Sequence, residues 1–247
     1  MLNLPKLIGH RGVKNLSPEN TIDSINLAKN FGLQWVEIDV KITKDLVPII
    51  FHDDTLERTT NGVGSPIDYR YSEIKKLDAG YFFYKKKTKI YIPTFENILL
   101  LSQKKNINLN IELKPNKGFE KENVESVAKV LKNSTFLNSY YFSSFDLNSL
   151  IMMKDFFPNA NYGLLIDKFH KNRTLNHVLK ICNKYNFFCC GFNKNIISLN
   201  VINKFLSNNR QVTVYSEKNV KVSEAEVLWS MGVKSIFIDD PSDFSNI

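Results

Sequence analysis

Short runs rich in β-branched and aromatic residues recur along the chain at residues 7–10, 36–40, 109–113, 140–143, 162–166, 189–192, 212–215 and 235–238. Continuous apolar runs of this length, bounded by turn-forming residues, read as strands buried on both faces. Between most of them lie longer stretches in which apolar residues return at helical spacing, as at 20–31, 119–131 and 173–185. A parallel strand pair needs a crossover of that length, so the alternation predicts an α/β fold with a parallel sheet. Eight such strands close most simply as a TIM (β/α)8 barrel.

One run departs from the rhythm. Residues 47–52 follow the second strand after only residues 41–46, too few for a helical crossover. They are expected to fold back as a β-hairpin strand added to the barrel; with a turn centred on Lys44 and Asp45, His52 would stand beside Glu37. From 53 to 93 the pattern dissolves into turn signals, Asn61-Gly62, Gly64 and Pro66, interspersed with Tyr69, Tyr71, Tyr81, Phe82, Phe83 and Tyr84. An insertion of roughly 40 residues exceeds an ordinary connection and suggests a subdomain bordering the active-site mouth. No repeat or linker interrupts the rest, so residues 1–247 are expected to form a single domain.

Composition narrows the class. At 247 residues and 43% hydrophobic content the chain can bury a large core, yet no apolar run approaches the roughly 18–20 residues of a membrane span. The first ten residues lack the pattern of a secretory signal, which makes a cytoplasmic protein without stable membrane insertion the expectation. The net charge of +8 comes almost wholly from scattered lysines, with five arginines, and the densest run, Lys85-Lys86-Lys87 with Lys89, reads as a solvated face rather than a nucleic-acid surface. A small anionic substrate would be attracted by such a charge. Cys182, Cys189 and Cys190 lack metal-type spacing and read as buried thiols.

The unusual polar residues sit where strands end, which is where barrel chemistry is placed. His10, Arg11 and Gly12 close the first strand, pairing a titratable ring with a phosphate-binding cation. On the second strand Glu37 and Asp39 are two residues apart, so both face the barrel interior while Val36, Ile38 and Val40 face outward. On the strand at 109–113, Glu112 adds a third inward acid and Lys114 follows on the same face. Three convergent carboxylates require positive charge, and an all-oxygen set suits Mg²⁺ or Ca²⁺ rather than zinc. His52 closes the hairpin strand and is brought to the same mouth; His170 and His177 lie in helical context and are assigned to the surface.

Taken in order, His10-Arg11-Gly12, Pro18-Glu19-Asn20-Thr21, Glu37-Ile38-Asp39-Val40, Thr43-Lys44-Asp45, His52-Asp53, residues 56–62, Ile92-Pro93-Thr94, Ile111-Glu112-Leu113-Lys114 and Ser144-Phe145 resemble the glycerophosphodiester phosphodiesterase family. The resemblance implies a TIM-barrel hydrolase in which His10 and His52 are acid and base, Glu37, Asp39 and Glu112 hold a Mg²⁺ or Ca²⁺ ion, and Arg11 and Lys114 contact the substrate phosphate. It also implies a glycerophosphodiester as the small-molecule substrate, cleaved to glycerol 3-phosphate and an alcohol. Toward the C-terminus the chain departs from the family pattern. A Trp-Thr-Val-Asn-like strand end is here Thr213-Val214-Tyr215-Ser216, and the Thr-Asp-x-Pro pattern is Ile238-Asp239-Asp240-Pro241. These changes bear on a pocket wall. Two other readings are carried: a lysophospholipase D-like phosphodiesterase, and a catalytically silent phosphodiester-binding protein.

Overall fold

The computed structural model describes residues 2–244. Nine strands form one sheet: β1 (Leu7–Gly9), β2 (Trp35–Ile42), β3 (Pro48–Ile50), β4 (Asn108–Leu113), β5 (Tyr140–Ser144), β6 (Asn161–Ile166), β7 (Cys189–Asn193), β8 (Gln211–Tyr215) and β9 (Ser235–Ile238). Eight of them pair in parallel around a closed ring, β1-β9-β8-β7-β6-β5-β4-β2, which a β1–β2 pairing completes. The remaining strand, β3, pairs antiparallel to β2 and stands outside the ring, as the short connection demanded. The helices are α1 (Ile22–Asn30), α2 (Tyr71–Ile74), α3 (Tyr81–Tyr84), α4 (Phe95–Lys105), α5 (Glu120–Asn133), α6 (Leu147–Phe156), α7 (Leu175–Lys184), α8 (Leu199–Leu206) and α9 (Val222–Ser230).

Alternation along each strand divides the molecule into two environments. Outward residues such as Val36, Ile38, Val40, Leu109, Ile111, Phe142 and Leu164 join helix residues in one large buried cluster. Helix α4 shows how the sequence builds that layer. Thr94 accepts a hydrogen bond from the Asn97 amide at 3.1 Å and starts the helix; Asn106 ends it in the left-handed conformation, φ 52°. Phe95, Ile98, Leu99 and Ser102, at spacings of one helix face, are buried between. Replacing Thr94 by Ala costs about 1 kcal/mol through the lost cap, whereas Phe95→Ala costs about 3–5 kcal/mol through the cavity. Inside the ring a separate apolar cluster of Leu4, Ile8, Trp35, Tyr141, Phe188, Cys189 and Phe237 fills one end. Further along β2 the same inward face carries Glu37, Asp39 and Lys41, all buried, so the barrel is oily at one end and ionic at the other.

The hairpin differs from its expected register by one residue. Val40 pairs with Ile50 and Ile42 with Pro48, which centres the turn on Asp45 and sets the continuation of β3 one step along from Glu37. The cause is a three-residue loop: Leu46 donates to the Thr43 carbonyl at 2.9 Å and adopts φ 60°, adding a residue that a two-residue turn lacks. Beyond β3, the segment 53–93 has its own small core, in which Leu56, Ile74, Ala79 and Ile92 pack on Ile49 and Phe51 of the hairpin. The three cysteines are free and buried, and His170 and His177 lie on the surface.

Candidate active site

Parallel pairing of β2 with β4 sets Asp39 beside Glu112, and Glu37 lies two residues back on the same inward face. One carboxylate oxygen from each of Glu37, Asp39 and Glu112 falls within 4.8 Å of the others, and all three residues are buried. Burial first, then the neighbouring charges of Asp39 and Glu112, push the Glu37 carboxyl well above the ordinary range. Burial acts the same way on Asp39, but Lys114, Arg11 and His52, with a hydrogen bond from Asn20 at 2.8 Å, outweigh it and hold that carboxyl well below its ordinary range. Glu37 Oε1 and Asp39 Oδ1 have no hydrogen-bond partner although both are buried. Glu37 Oε1, without a hydrogen-bond partner, and Asp39 Oδ1, met by the Lys114 ammonium at 3.4 Å, belong to an all-oxygen cluster that fits a hard divalent cation.

Two cations flank the acids. Lys114 Nζ lies 2.9 Å from Glu112 Oε1 and 3.4 Å from Asp39 Oδ1; despite its burial these acids keep the ammonium above its ordinary pKa. Arg11 approaches from the other side, its Nε 3.4 Å from Asp39 Oδ2 and its Nη1 2.8 Å from Glu19 Oε1. Its backbone is left-handed, φ 52°, a conformation costing roughly 1–3 kcal/mol in a non-glycine residue. That turn aims the Arg11 amide at Glu37 Oε2, 2.8 Å away. Gly12 makes it possible: φ is 84°, and any side chain there would collide with Ser24 of α1.

Each predicted histidine has a carboxylate behind it. His10 Nδ1 is 2.7 Å from Asp239 Oδ1, and Lys14 Nζ is 3.2 Å from the other Asp239 oxygen. Burial, against the opposing hydrogen bond to Asp239, lowers the His10 pKa to about 4. The ring is therefore neutral near pH 7, with Nδ1–H donated to Asp239 and a lone pair on Nε2. His52 Nδ1 is 2.6 Å from Asp53 Oδ1, and Arg58 grips Asp53 while forking onto Glu19 at 2.7 and 2.8 Å. Glu19, held by Arg58 and Arg11 against the cost of burial, has a pKa of about 2.

His10, Arg11, Glu37, His52, Glu112 and Lys114 thus all line one cleft, with Asp39 beneath them bonded to Lys114 and Arg11. Phe145 and Tyr215 form an aromatic wall opposite, ring centroids 5.6 Å apart, and Ser216 and Phe237 continue it. This wall contains the Tyr215-Ser216 departure noted in sequence. The 53–93 segment does not cap this cleft. It flanks an adjoining recess, where Arg58, Thr59, Ala79, Phe82 and Phe83 meet Arg11 and Lys14. Sequence reasoning gave no role to Glu19, Asn20, Asp53, Arg58 or Asp239, although each stands within a quoted motif. Only Asp53 carried a local signal, standing directly beside His52.

Comparison with known proteins agrees with this geometry. The model of the "Glycerophosphoryl diester phosphodiesterase family" matches residues 10–243. A glycerophosphodiester phosphodiesterase of Bacillus altitudinis is 31% identical over 96% of both chains. One from Caldanaerobacter subterraneus subsp. tengcongensis is 38% identical over 64% of this chain and 65% of its own length. A phosphodiesterase from Oleispira antarctica, solved in complex with the product sn-glycerol-3-phosphate, superposes with a TM-score of 0.88 at 29% identity, covering 96% of this chain and 93% of that one. With the ring, the acid cluster and the matched span in accord, the chain belongs to the glycerophosphoryl diester phosphodiesterase family.

Proposed function

We propose that this protein hydrolyses glycerophosphodiesters to glycerol 3-phosphate and an alcohol, with His10 and His52 as the proton-transfer pair. The observation that carries the reading is the meeting in one cleft of two carboxylate-backed histidines, the cations Arg11 and Lys114, and a cluster of three acids. Glu37, Asp39 and Glu112 would hold Mg²⁺ or Ca²⁺, which when bound supplies Lewis-acid stabilisation of charge on the phosphate. Arg11 and Lys114 bind the non-bridging oxygens and neutralise them as the transition state forms. The attacking oxygen, of water or of the neighbouring glycerol hydroxyl, gives its proton to His10 Nε2 as it bonds to phosphorus. The bond from phosphorus to the alcohol oxygen breaks, and that oxygen takes a proton from His52. Attack by the glycerol hydroxyl first gives a cyclic phosphate, which water then opens with the proton transfers reversed. Asp239 and Asp53 hold each ring in the tautomer that presents Nε2 to the cleft.

The proposed setting is the cytoplasm, since free buried thiols suit a reducing compartment. The described residues contain no helix long and apolar enough to cross a membrane. A second reading, release of the head group from lysophospholipids, draws on the aromatic wall and on Phe82 and Phe83 in the adjoining recess. Purified protein assayed with glycerophosphocholine, with EDTA and after restoring Mg²⁺ or Ca²⁺, tests the main reading. Metal-dependent appearance of glycerol 3-phosphate is expected. Turnover of lysophosphatidylcholine alone would favour the second reading, and no turnover of either would leave the silent binder.

A further inference from the structure

We propose that the tip of the 53–93 segment is a docking loop for an anionic phospholipid surface. Helix α3 is a single turn made of four consecutive aromatics, and Tyr81, Phe82, Phe83 and Tyr84 are 40%, 50%, 39% and 43% exposed. Successive helix residues project about 100° apart, so four in a row cannot all face one core. Their packing is instead pairwise and local, edge to face, with centroids 5.2 Å apart for Tyr81–Phe82 and 5.0 Å for Phe83–Tyr84. Tyr91 is exposed nearby. Left in water, the exposed part of this cluster is an apolar patch that the described residues leave uncovered.

The charge beside it says what kind of partner. Lys85, Lys86, Lys87 and Lys89 follow directly and are all exposed, and no acidic residue occurs from Ala79 to Ile92. Rings that enter the headgroup layer, edged by lysines that meet lipid phosphates, are the chemistry of interfacial binding. A nucleic acid would call for arginine forks and regularly spaced stacking rings, which this tip lacks. The loop is also firmly held at its base: the buried Asp78 carboxylate binds the Gly80 amide at 2.9 Å and the Thr88 amide and hydroxyl, and Ala79 donates to the Ile90 carbonyl at 2.8 Å. Little ordering is therefore left to be lost on docking. Phe82 and Phe83 share the recess of Arg11 and Arg58 beside the cleft, so docking would hold the mouth next to the lipid surface. The proposal does not depend on which diester is cleaved.

Sedimentation with vesicles of phosphatidylcholine alone and of equimolar phosphatidylcholine and phosphatidylglycerol tests it. The wild-type protein is expected to sediment with the anionic vesicles only, and less so as salt rises. A lysine near such a surface is worth about a fivefold gain in partitioning, so Lys85→Glu/Lys86→Glu/Lys87→Glu should lower it by about 100-fold or more. Phe82→Ser/Phe83→Ser should lower it by about tenfold or more while leaving the remainder salt-sensitive. Thermal melts confirm that the variants fold, and glycerophosphocholine turnover without vesicles should be unchanged in the lysine variant, which separates failure of docking from failure of the catalytic reading. A wild-type protein that stays in the supernatant with anionic vesicles overturns the proposal, and that result needs no variant. So does equal sedimentation of the aromatic variant and wild type, which would reduce the attraction to that of any polyanion.

Discussion

The two histidines of the cleft have the same local design and different surroundings. His10 and Asp239 are 12% and 3% exposed; His52 and Asp53 are 26% and 21% exposed and share their charge with Arg58. In the first pair the carboxylate is enclosed by the barrel end and by Lys14, and desolvation keeps the ring neutral. In the second the carboxylate lies just beyond the hairpin that stands outside the ring, nearer water, and is divided between an imidazole and a guanidinium. A neutral imidazole with its remote nitrogen locked as donor is prepared to take a proton. The comparison therefore supports the proposed direction of proton transfer, with His10 as acceptor and His52 as donor, which the sequence alone left open.

The harshest way to break the comparison is to remove what both histidines serve. EDTA should reduce turnover of glycerophosphocholine to background, with recovery on adding Mg²⁺ or Ca²⁺; full activity after rigorous chelation would remove the role given to Glu37, Asp39 and Glu112. Next, His10→Ala and His52→Ala should each lower kcat by about 10²–10⁴-fold without unfolding the protein, and the double variant should be little worse than the worse single one. His170→Ala and His177→Ala are the surface controls, and turnover near wild type is expected for both.

Asparagine at the supporting positions sharpens the contrast. Asp239→Asn removes the charge and introduces an amide donor that no longer dictates the His10 tautomer in a buried site, and should lower kcat by about 10²-fold or more, whereas Asp53→Asn, in its more open and shared site, should cost about tenfold. Equal losses would mean that the two pairs are energetically alike. The smallest effect concerns stability. Between the ordinary histidine value of 6.5 and about 4, an unfolded His10 binds a proton that the folded one refuses, so its contribution is present above that window and is lost as pH falls through it. Going from about pH 7.5 to about pH 5 should cost about 2 kcal/mol from this ring. Glu37, whose pKa is raised, acts in the opposite sense, so the measurement is the difference in melting-temperature change between wild type and His10→Gln. Parallel curves for the two proteins would show that His10 is not the group responsible.

How much of this was legible beforehand depended on distance along the chain. Glu37, Asp39, Glu112 and Lys114 could be placed because a strand alternates with period two, which puts Glu37 with Asp39 on one face of β2 and Glu112 with Lys114 on one face at the end of β4. The ring followed from crossover length, which excluded one run and left eight. The hairpin register was missed by one residue because a left-handed Leu46 carries no glycine or asparagine signal. Asp239 was missed as a partner of His10 because 229 residues separate them, and no local pattern spans that gap. The ion-pair chain from Arg58 through Glu19 and Arg11 to Asp39 was equally hidden, since it joins the inserted segment, the first loop and the second strand.

The wide separation of His10 and Asp239 gives the chain an order of assembly. The three acids are all present once residue 112 has been made, but the support for His10 arrives only with the last strand, when β9 pairs with β1. Closing so large a loop is the slow kind of contact in folding. A chain cut short before β9 contains all three acids in its sequence and still lacks the carboxylate that holds His10. Under the proposed mechanism, catalytic competence is thus tied to the pairing of β9 with β1, and turnover would report on closure of the ring in a way that helix content does not.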